Sequence, residues 1–305
     1  MIKFIIFRLF YMFLVIVFVS VLVFALSRMS GDPRDLYMDD YATPAQYEAW
    51  GREWGLDKPL YVQYLVWASK AVRGDFGRSI KHRQPALDVV RASFPATLQL
   101  ASAGFLVTLA VAVPLGVLSA INRGSLADYA GRGIALFGQA LPAFWIGIML
   151  ILVFAVQLGW LPTGTRGDWK HYILPAITLG TGPAAGLLRI VRSSMLNVLD
   201  SEYIKLARAK GVGRRTLIWK HAFRNALIAP LTFSGLILAG FITGSVVTET
   251  VFSWPGVGRL AVLAIFDNDF PLISAVVMSI AGLYVFISLM VDLTYALVDP
   301  RIRFN

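Results

Sequence analysis

The chain has 305 residues, of which 57% are hydrophobic, 15% are charged and none is cysteine. A soluble domain carries about 25% charged and about 45–50% apolar residues. The mean hydropathy of +0.67 therefore excludes a disordered chain and an ordinary soluble enzyme. Without cysteine there can be no disulfide, zinc–thiolate site, iron–sulfur cluster or thiol nucleophile.

Six apolar stretches are long enough to cross a membrane, which requires about 20 mainly apolar residues. The first is longer than the apolar part of a signal peptide, so we expect it to remain as an anchor. The fourth is short and rich in glycine, and the sixth contains Asp292. The predicted spans are residues 10–26, 98–121, 134–158, 173–191, 226–247 and 272–298.

The lysines and arginines lie unevenly about these spans. If the N-terminus is cytoplasmic, the inner segments hold 15 of the 28 cations but only 4 of the 18 acids, a net charge of +11. The outer segments hold 13 of each, and Asp292 completes the total of +10. This distribution follows the positive-inside rule and predicts that both termini are cytoplasmic. Membrane topology thus also explains the high isoelectric point of the chain, and binding to nucleic acid is not needed to account for it.

A long segment, residues 29–96, follows the first span on the predicted outer side. The order Thr43-Pro44-Ala45-Gln46 is typical of a helix start with a capping box, and Gly55 is suited to end that helix. A second helix is expected from about Lys58, because apolar residues recur there at helical spacing. We interpret the segment as a small helical cap, with direct docking of a partner as the alternative.

The second long segment, residues 193–225, lies on the predicted inner side. A continuous helix is expected from Ser193 to Lys210, with Gly211 as its stop and a second, amphipathic helix from about Arg214. This predicts a helix–glycine–helix elbow whose small alanines let another protein approach closely. A polybasic interfacial helix that holds anionic lipid is the alternative.

The segment from Glu202 to Pro230 resembles the EAA loop of bacterial ABC importer permeases. ARAKGV and HAFRNALIAP are similar to the dipeptide/oligopeptide/nickel branch of that family. In place of the family's two alanines after Glu202 stands Tyr203-Ile204, so Ala207-Arg208-Ala209 is expected to supply the small residues. Further stretches similar to the branch cover nearly the whole chain: LDKPLYVQYLVW, GDFGRS, FPATLQLA, LPAFWIGIML, LGWLPTG, TGSVVTETVFSWPGVGRL and VDPRIR.

The resemblance implies an all-α membrane protein with the type I ABC importer permease fold. It implies six transmembrane helices, cytoplasmic termini and a large extracytoplasmic loop between the first two helices. Its parts would be an N-terminal transmembrane helix in 1–28, the outer helical loop in 29–96, and a five-helix permease core in 97–305 with the coupling loop at 193–225. The implied location is the cytoplasmic (inner) membrane of a bacterium or archaeon, crossed several times.

The resemblance also implies partners. A "B"-type permease subunit would pair with a second, homologous permease, two ABC ATPase subunits and an extracytoplasmic substrate-binding protein. Since the chain lacks a G-x-x-x-x-G-K-[ST] motif, ATP and Mg²⁺ are expected on the ATPases, and no cofactor on this chain. The expected substrate is a di- or oligopeptide, with nickel or another small solute as the alternative. A stand-alone carrier or channel is the alternative from a different class.

Several residues are predicted to have specific roles. No catalytic residue and no metal ligand is predicted, and the substrate pathway is not assigned. Asp292 and Glu249, near span ends, are interpreted as structural first, although intramembrane acids are often functional; contact with the binding protein or a peptide terminus is the alternative for Glu249. Small-x-x-x-small spacing predicts helix packing at Gly182, Gly186, Gly240 and Gly244, with lining of the substrate path as the alternative. The residues expected to couple to the ATPase are Glu202, Ala207, Arg208, Ala209, Lys210, Gly211, Arg224 and Asn225.

Overall fold

The computed structural model describes residues 2–29, 43–53 and 55–298, which are mainly helical. The chain forms two compact units. The first unit comprises Met1–Pro95 and Gly256–Phe286, and the second comprises Ala96–Pro255 and Ile287–Asn305. The return of residues 256–286 to the first unit has no counterpart in the sequence-based division.

The described helices are numbered in chain order. Their bounds are α1 Ile2–Met29, α2 Pro44–Glu53, α3 Leu60–Val72, α4 Ala86–Ile121, α5 Leu126–Ala140, α6 Ala143–Gln157, α7 Lys170–Leu199, α8 Glu202–Ala209, α9 Arg214–Ala226, α10 Ile228–Gly244, α11 Val246–Val251, α12 Val257–Phe266 and α13 Phe270–Val298.

Four of these helices, α1, α4, α7 and α13, contain a stretch long and apolar enough to cross a membrane. Two further pairs pass the same test together but are bent, α5 with α6 by 103° and α9 with α10 by 57°. Within the described residues there are therefore four candidate spans, or six if each bent pair crosses once. The protein is a multi-pass membrane protein.

The third predicted span is not a single straight helix. Leu141 is extended, with φ −91° and ψ 132°, and Pro142 precedes the first turn of α6. Proline lacks an N–H and pushes the preceding residue out of the helical region, so it separates the two helices. The inner side of the bend forms an apolar cavity of about 440 Å³, whose lining includes Ile134, Phe137 and Trp145.

Helix α7 is central to the second unit. It has the lowest mean hydropathy of the four long candidate spans, 1.3, yet 61% of its apolar window is buried, against 17–39% in the others. It approaches α4 so closely that a Cβ on Gly180 would lie 2.8 Å from the carbonyl oxygen of Gly104. A Cβ on Gly116 of α4 would likewise lie 2.8 Å from side-chain atoms of Val191 in α7. Helix α7 is less apolar than the other long candidate spans because much of its surface packs on protein.

The first unit contains the helices predicted in the outer segment. The Thr43 N–H donates to Gln46 Oε1 over 2.9 Å, as a capping box requires. Gly55 has φ +65° just beyond α2, and the next helix begins at Leu60. Both helix starts are confirmed. Helix α3 packs on α1 through Tyr64, whose ring centroid lies 5.6 Å from that of Phe24.

Candidate coupling loop

The prediction of one helix from Ser193 to Lys210 is wrong. Helix α7 ends at Leu199, and α8 begins at Glu202. Between them Ser201 is extended, with φ −71° and ψ 150°, and its hydroxyl donates back to the carbonyl oxygen of Val198 over 2.5 Å. The serine hydroxyl competes for backbone hydrogen bonds and so favours a break in the helix at this position. The helical path of the coupling loop is therefore broken at each end of α8.

The second break is at Gly211, which was predicted as a helix stop. Its φ is +77°, a left-handed conformation that side chains disfavour. The Gly211 N–H donates to Arg208 O over 3.0 Å, and the Val212 N–H donates to Ala207 O over 3.2 Å. This pair of bonds is a Schellman motif. A Cβ added at Gly211 would meet no described atom within 4 Å, so glycine is required by the backbone angle and not by crowding.

Helix α8 is held on α9 by the two residues that replace the family's alanines. The Tyr203 hydroxyl donates to His221 O over 3.0 Å, and the Asn225 amide donates to the Tyr203 hydroxyl over 3.0 Å. Ile204 is fully buried in the same apolar cluster as Leu217. This attachment by Tyr203 and Ile204 was not predicted, although the helical spacing of apolar residues around Ile204 and in α9 indicates a buried face.

The predicted coupling residues lie on two sides of the loop. Ala207 packs partly against the core, and Asn225 is exposed but uses its amide within the loop. Leu206 and Trp219, which were not predicted, are 56% and 49% exposed and add apolar surface. The remaining predicted residues are exposed: Glu202, Arg208, Ala209, Lys210, Gly211 and Arg224.

A buried cluster of charges fastens the helix that leads into the loop. Asp128 of α5 is completely buried. Arg192 of α7 donates to both of its carboxylate oxygens, over 2.8 and 3.0 Å, and Arg132 donates over 2.7 Å at its shorter contact. The Ser119 hydroxyl of α4 and the Gly124 N–H donate over 2.6 and 3.0 Å. Asp128 thus joins α4, α5 and α7, and its partner Arg192 lies ten residues before the start of α8 at Glu202.

The predicted packing glycines differ in their surroundings. A Cβ on Gly186 would lie 3.3 Å from Phe233 of α10, whereas one on Gly182 would have the Gly138 carbonyl oxygen, 3.8 Å away, as its nearest neighbour. A Cβ on Gly240 would meet no described atom within 4 Å. The surroundings of Gly244 lie outside the described residues. Helix packing at these positions stays a prediction.

The two acids near span ends can be compared only in part. Glu249 is completely buried and accepts hydrogen bonds from the hydroxyls of Thr97, over 2.8 Å, and Ser245, over 2.9 Å. This favours the structural interpretation over contact with a partner. The backbone of Asp292 is helical, but its side chain lies outside the described residues.

The histidines lie apart, and His171 has a carboxylate partner in the loop before α7. Its Nδ1 lies 2.8 Å from Asp168 Oδ1. This hydrogen bond holds the pKa of the exposed Asp168 carboxyl below its usual range. Among the described residues, no three His, Asp or Glu side chains are grouped as metal ligands.

Comparison with known proteins places the chain in a family over nearly its whole length. Residues 112–304 match the family described as "Binding-protein-dependent transport system inner membrane component", and residues 1–101 match the corresponding N-terminal family. The chain is 41% identical over 298 residues to the oligopeptide transport system permease protein AppB of Bacillus subtilis (strain 168). It is 40% identical over 288 residues to the glutathione transport system permease protein GsiC of Escherichia coli (strain K12). Each alignment covers 94% of both chains.

Solved structures share the fold. A chain from inward-facing structures of the MetNI methionine ABC transporter superposes with a TM-score of 0.58 at 17% identity, covering 69% of this chain and 96% of that one. A chain of an amino acid ABC transporter solved with histidines gives 0.56 at 12% identity, covering 69% and 94%. The chain belongs to the family of binding-protein-dependent transport system inner membrane components.

Proposed function

We propose that this chain is the transmembrane permease subunit of an ATP-driven ABC importer of di- or oligopeptides. The observation that carries the proposal is the near full-length identity of 40–41% to permeases named for oligopeptide and glutathione transport. Its coupling loop supports the same conclusion, because the exposed residues around Gly211 follow a helix that is fixed by the buried Asp128 cluster. The chain forms one half of the translocation pathway, and a second, homologous permease forms the other.

In this proposal the coupling loop receives the movement of the ATPases. The exposed end of α8, with Gly211 at its tip, docks on an ATPase subunit, and each permease engages one of two such subunits. The hydrogen bonds of Tyr203 and Asn225 keep α8 and α9 together as one body. Arg192, held by Asp128, then passes the displacement to α4 and α5. Packed helices convey such movements as rigid-body rotations.

The remaining partners follow from the proposed orientation. With both termini and the coupling loop in the cytoplasm, the outer segment faces an extracytoplasmic substrate-binding protein that delivers the peptide. The excess of inner cations supports this orientation. ATP and Mg²⁺ bind to the ATPases, because the chain has no phosphate-binding glycine loop. The assembly lies in the cytoplasmic membrane.

The coupling role is tested with two glycines that lie two residues apart. Gly211 and Gly213 are both exposed with no described atom within 4 Å of an added Cβ, but φ is +77° at Gly211 and −59° at Gly213. A left-handed angle costs a side chain about 1–2 kcal/mol. In proteoliposomes with the partner subunits, Gly211→Glu should abolish ATP-dependent uptake of a labelled peptide while the protein remains inserted. Gly213→Ala should transport normally.

Wild-type uptake by Gly211→Glu would contradict the docking role. The function itself is tested by isolating the full chain from its host in mild detergent and identifying the bound proteins. A second permease and two ATPases are expected. Recovery of the chain alone, still transporting in vesicles without ATP, would instead identify a carrier or channel.

A further inference from the structure

A basic cleft opens beside the coupling loop, on the side of α8 that faces the ends of α4 and α7. Its volume is about 600 Å³. Residues of α4, α7, α8 and α9 and of their connections line it, all within the second unit. Four of the lining residues are cations and one is an acid: Arg123, Lys205, Arg208, Arg214 and Asp200.

Within the described part of the chain, the cations of the basic cleft outnumber the acids beside them. Asp200 lies 3.8 Å from Arg123, and both side chains are largely exposed. Lys205 has an exposed partner, Glu202, at 2.8 Å. Among the described residues, Arg208 and Arg214 have no carboxylate within 4.0 Å. The cleft therefore attracts an anion.

The rest of the lining indicates what kind of anion. Seven of the twelve lining residues are apolar, among them Ile121, Leu196 and Leu199. Ile121 is the last residue of α4, and Leu199 is the last of α7. Four of the seven apolar residues therefore lie at the ends of two candidate spans, and the four cations lie beyond those ends. Such a site suits an amphiphile with an anionic head and a hydrocarbon tail.

We propose that the basic cleft binds the phosphate headgroup of an anionic phospholipid, with an acyl chain along the ends of α4 and α7. Basic pockets between transmembrane helices on the cytoplasmic side bind such headgroups. Only the assignment to the cytoplasmic leaflet rests on the proposed orientation; binding itself does not depend on transport. The lipid contacts α8 and α9 together and so supports the coupling loop.

The test measures retained lipid, not uptake. The full chain, with the subunits that stay bound in mild detergent, is stripped of lipid and titrated with dioleoylphosphatidylglycerol or dioleoylphosphatidylcholine, and adducts are counted by native mass spectrometry. The wild type should retain phosphatidylglycerol in preference to phosphatidylcholine. Arg123→Gln with Arg214→Gln should weaken retention by about fivefold for each cation removed. Arg215→Gln, which removes a neighbouring exposed cation outside the cleft, is the control and should change little.

Three outcomes would overturn the proposal. The first is equal retention of phosphatidylglycerol by the double variant and Arg215→Gln. The second is displacement of the lipid by millimolar inorganic phosphate, which would assign the site to a soluble phosphate compound. The third is binding only after the ATPases are removed, which would assign the cleft to their docking surface. If the double variant fails to assemble, Arg123→Gln alone decides, with about a fivefold loss expected.

Discussion

Helix α4 is fastened at two places in the second unit, and the two attachments differ in kind. Thr97 donates to Glu249, and Ser119 donates to Asp128. The two hydroxyl-bearing residues are separated by about 33 Å along a helix with a rise of about 1.5 Å per residue. Both carboxylates are completely buried. Asp128 also binds two guanidinium groups, whereas Glu249 also accepts a second hydroxyl, from Ser245.

The difference matters for what each end tolerates. A buried charge is strongly destabilising when its partner is removed. The Asp128 end, which leads through Arg192 to the coupling loop, is therefore stable only when all its members are present. The hydroxyls of Thr97 and Ser245 can donate to the oxygen of a neutral carboxamide as well as to a carboxylate, so these two hydrogen bonds should survive a neutral replacement of Glu249. At the attachment nearer the proposed ATPase, replacing Asp128 or Arg192 alone should therefore be strongly destabilising.

The largest effect is expected from Asp128→Ala. It leaves the largely buried guanidinium of Arg192 without its carboxylate partner, which costs about 3–5 kcal/mol of unfolding free energy. Thermal unfolding in detergent measures the loss. Asp88→Ala removes an acid from an exposed pair with Arg91 and should change little. Equal losses of unfolding free energy in the two variants would show that the buried cluster stabilises the protein no more than an exposed ion pair does.

The two arginines of the cluster should differ in importance. The side chain of Arg192 is 19% exposed, whereas that of Arg132 is 50% exposed and partly screened by solvent. We expect Arg192→Gln to cost about 3 kcal/mol and to reduce peptide uptake, because Arg192 connects α7 to the anchored end of α4. Arg132→Gln should cost clearly less. Unfolding and uptake of both variants test this, and a larger loss for Arg132→Gln would contradict the proposed order.

A smaller effect on stability is expected at the other attachment of α4, where Thr97 donates to Glu249. Glu249→Gln keeps an oxygen that accepts from Thr97 and Ser245, so unfolding should change by less than about 1 kcal/mol. Glu249→Ala leaves both hydroxyls without this acceptor and should cost about 1–3 kcal/mol. The pair of variants is compared by thermal unfolding. A loss for Glu249→Gln as large as that for Asp128→Ala would mean that the charge of Glu249 is essential.

Local patterns were the most predictable part of the fold. The capping box at Thr43 and the stop at Gly211 were confirmed, because each depends on residues within one turn. The bend within the third predicted span was not predicted, because the apolar composition of the span outweighed Pro142 in the interpretation. The continuous helix through Ser201 was wrong for a similar reason, since alanines and cations nearby are strong helix formers.

Long-range contacts were beyond the sequence patterns. Asp128 and Arg192 are 64 residues apart, and neither has a neighbour in sequence that indicates the pair. The close approach of Gly104 and Gly180 was missed because glycine is frequent in membrane helices and only some glycines meet another backbone. The exposed coupling residues were identified through the family resemblance, but the link through Tyr203 lies where this chain departs from the family pattern.

The smallest effect on stability is expected from breaking this link. It tests whether α8 and α9 move together with the helices that Asp128 joins. Tyr203→Phe keeps the ring but removes the hydroxyl that donates to His221 O and accepts from Asn225. Because these groups are solvent-exposed, unfolding should change by about 0.5–1.5 kcal/mol or less. Uptake should fall more than stability does, since α8 can then move without α9, and ATP hydrolysis by the partners should continue. A parallel fall of uptake and hydrolysis would mean that Tyr203 serves docking itself and not the transfer of movement.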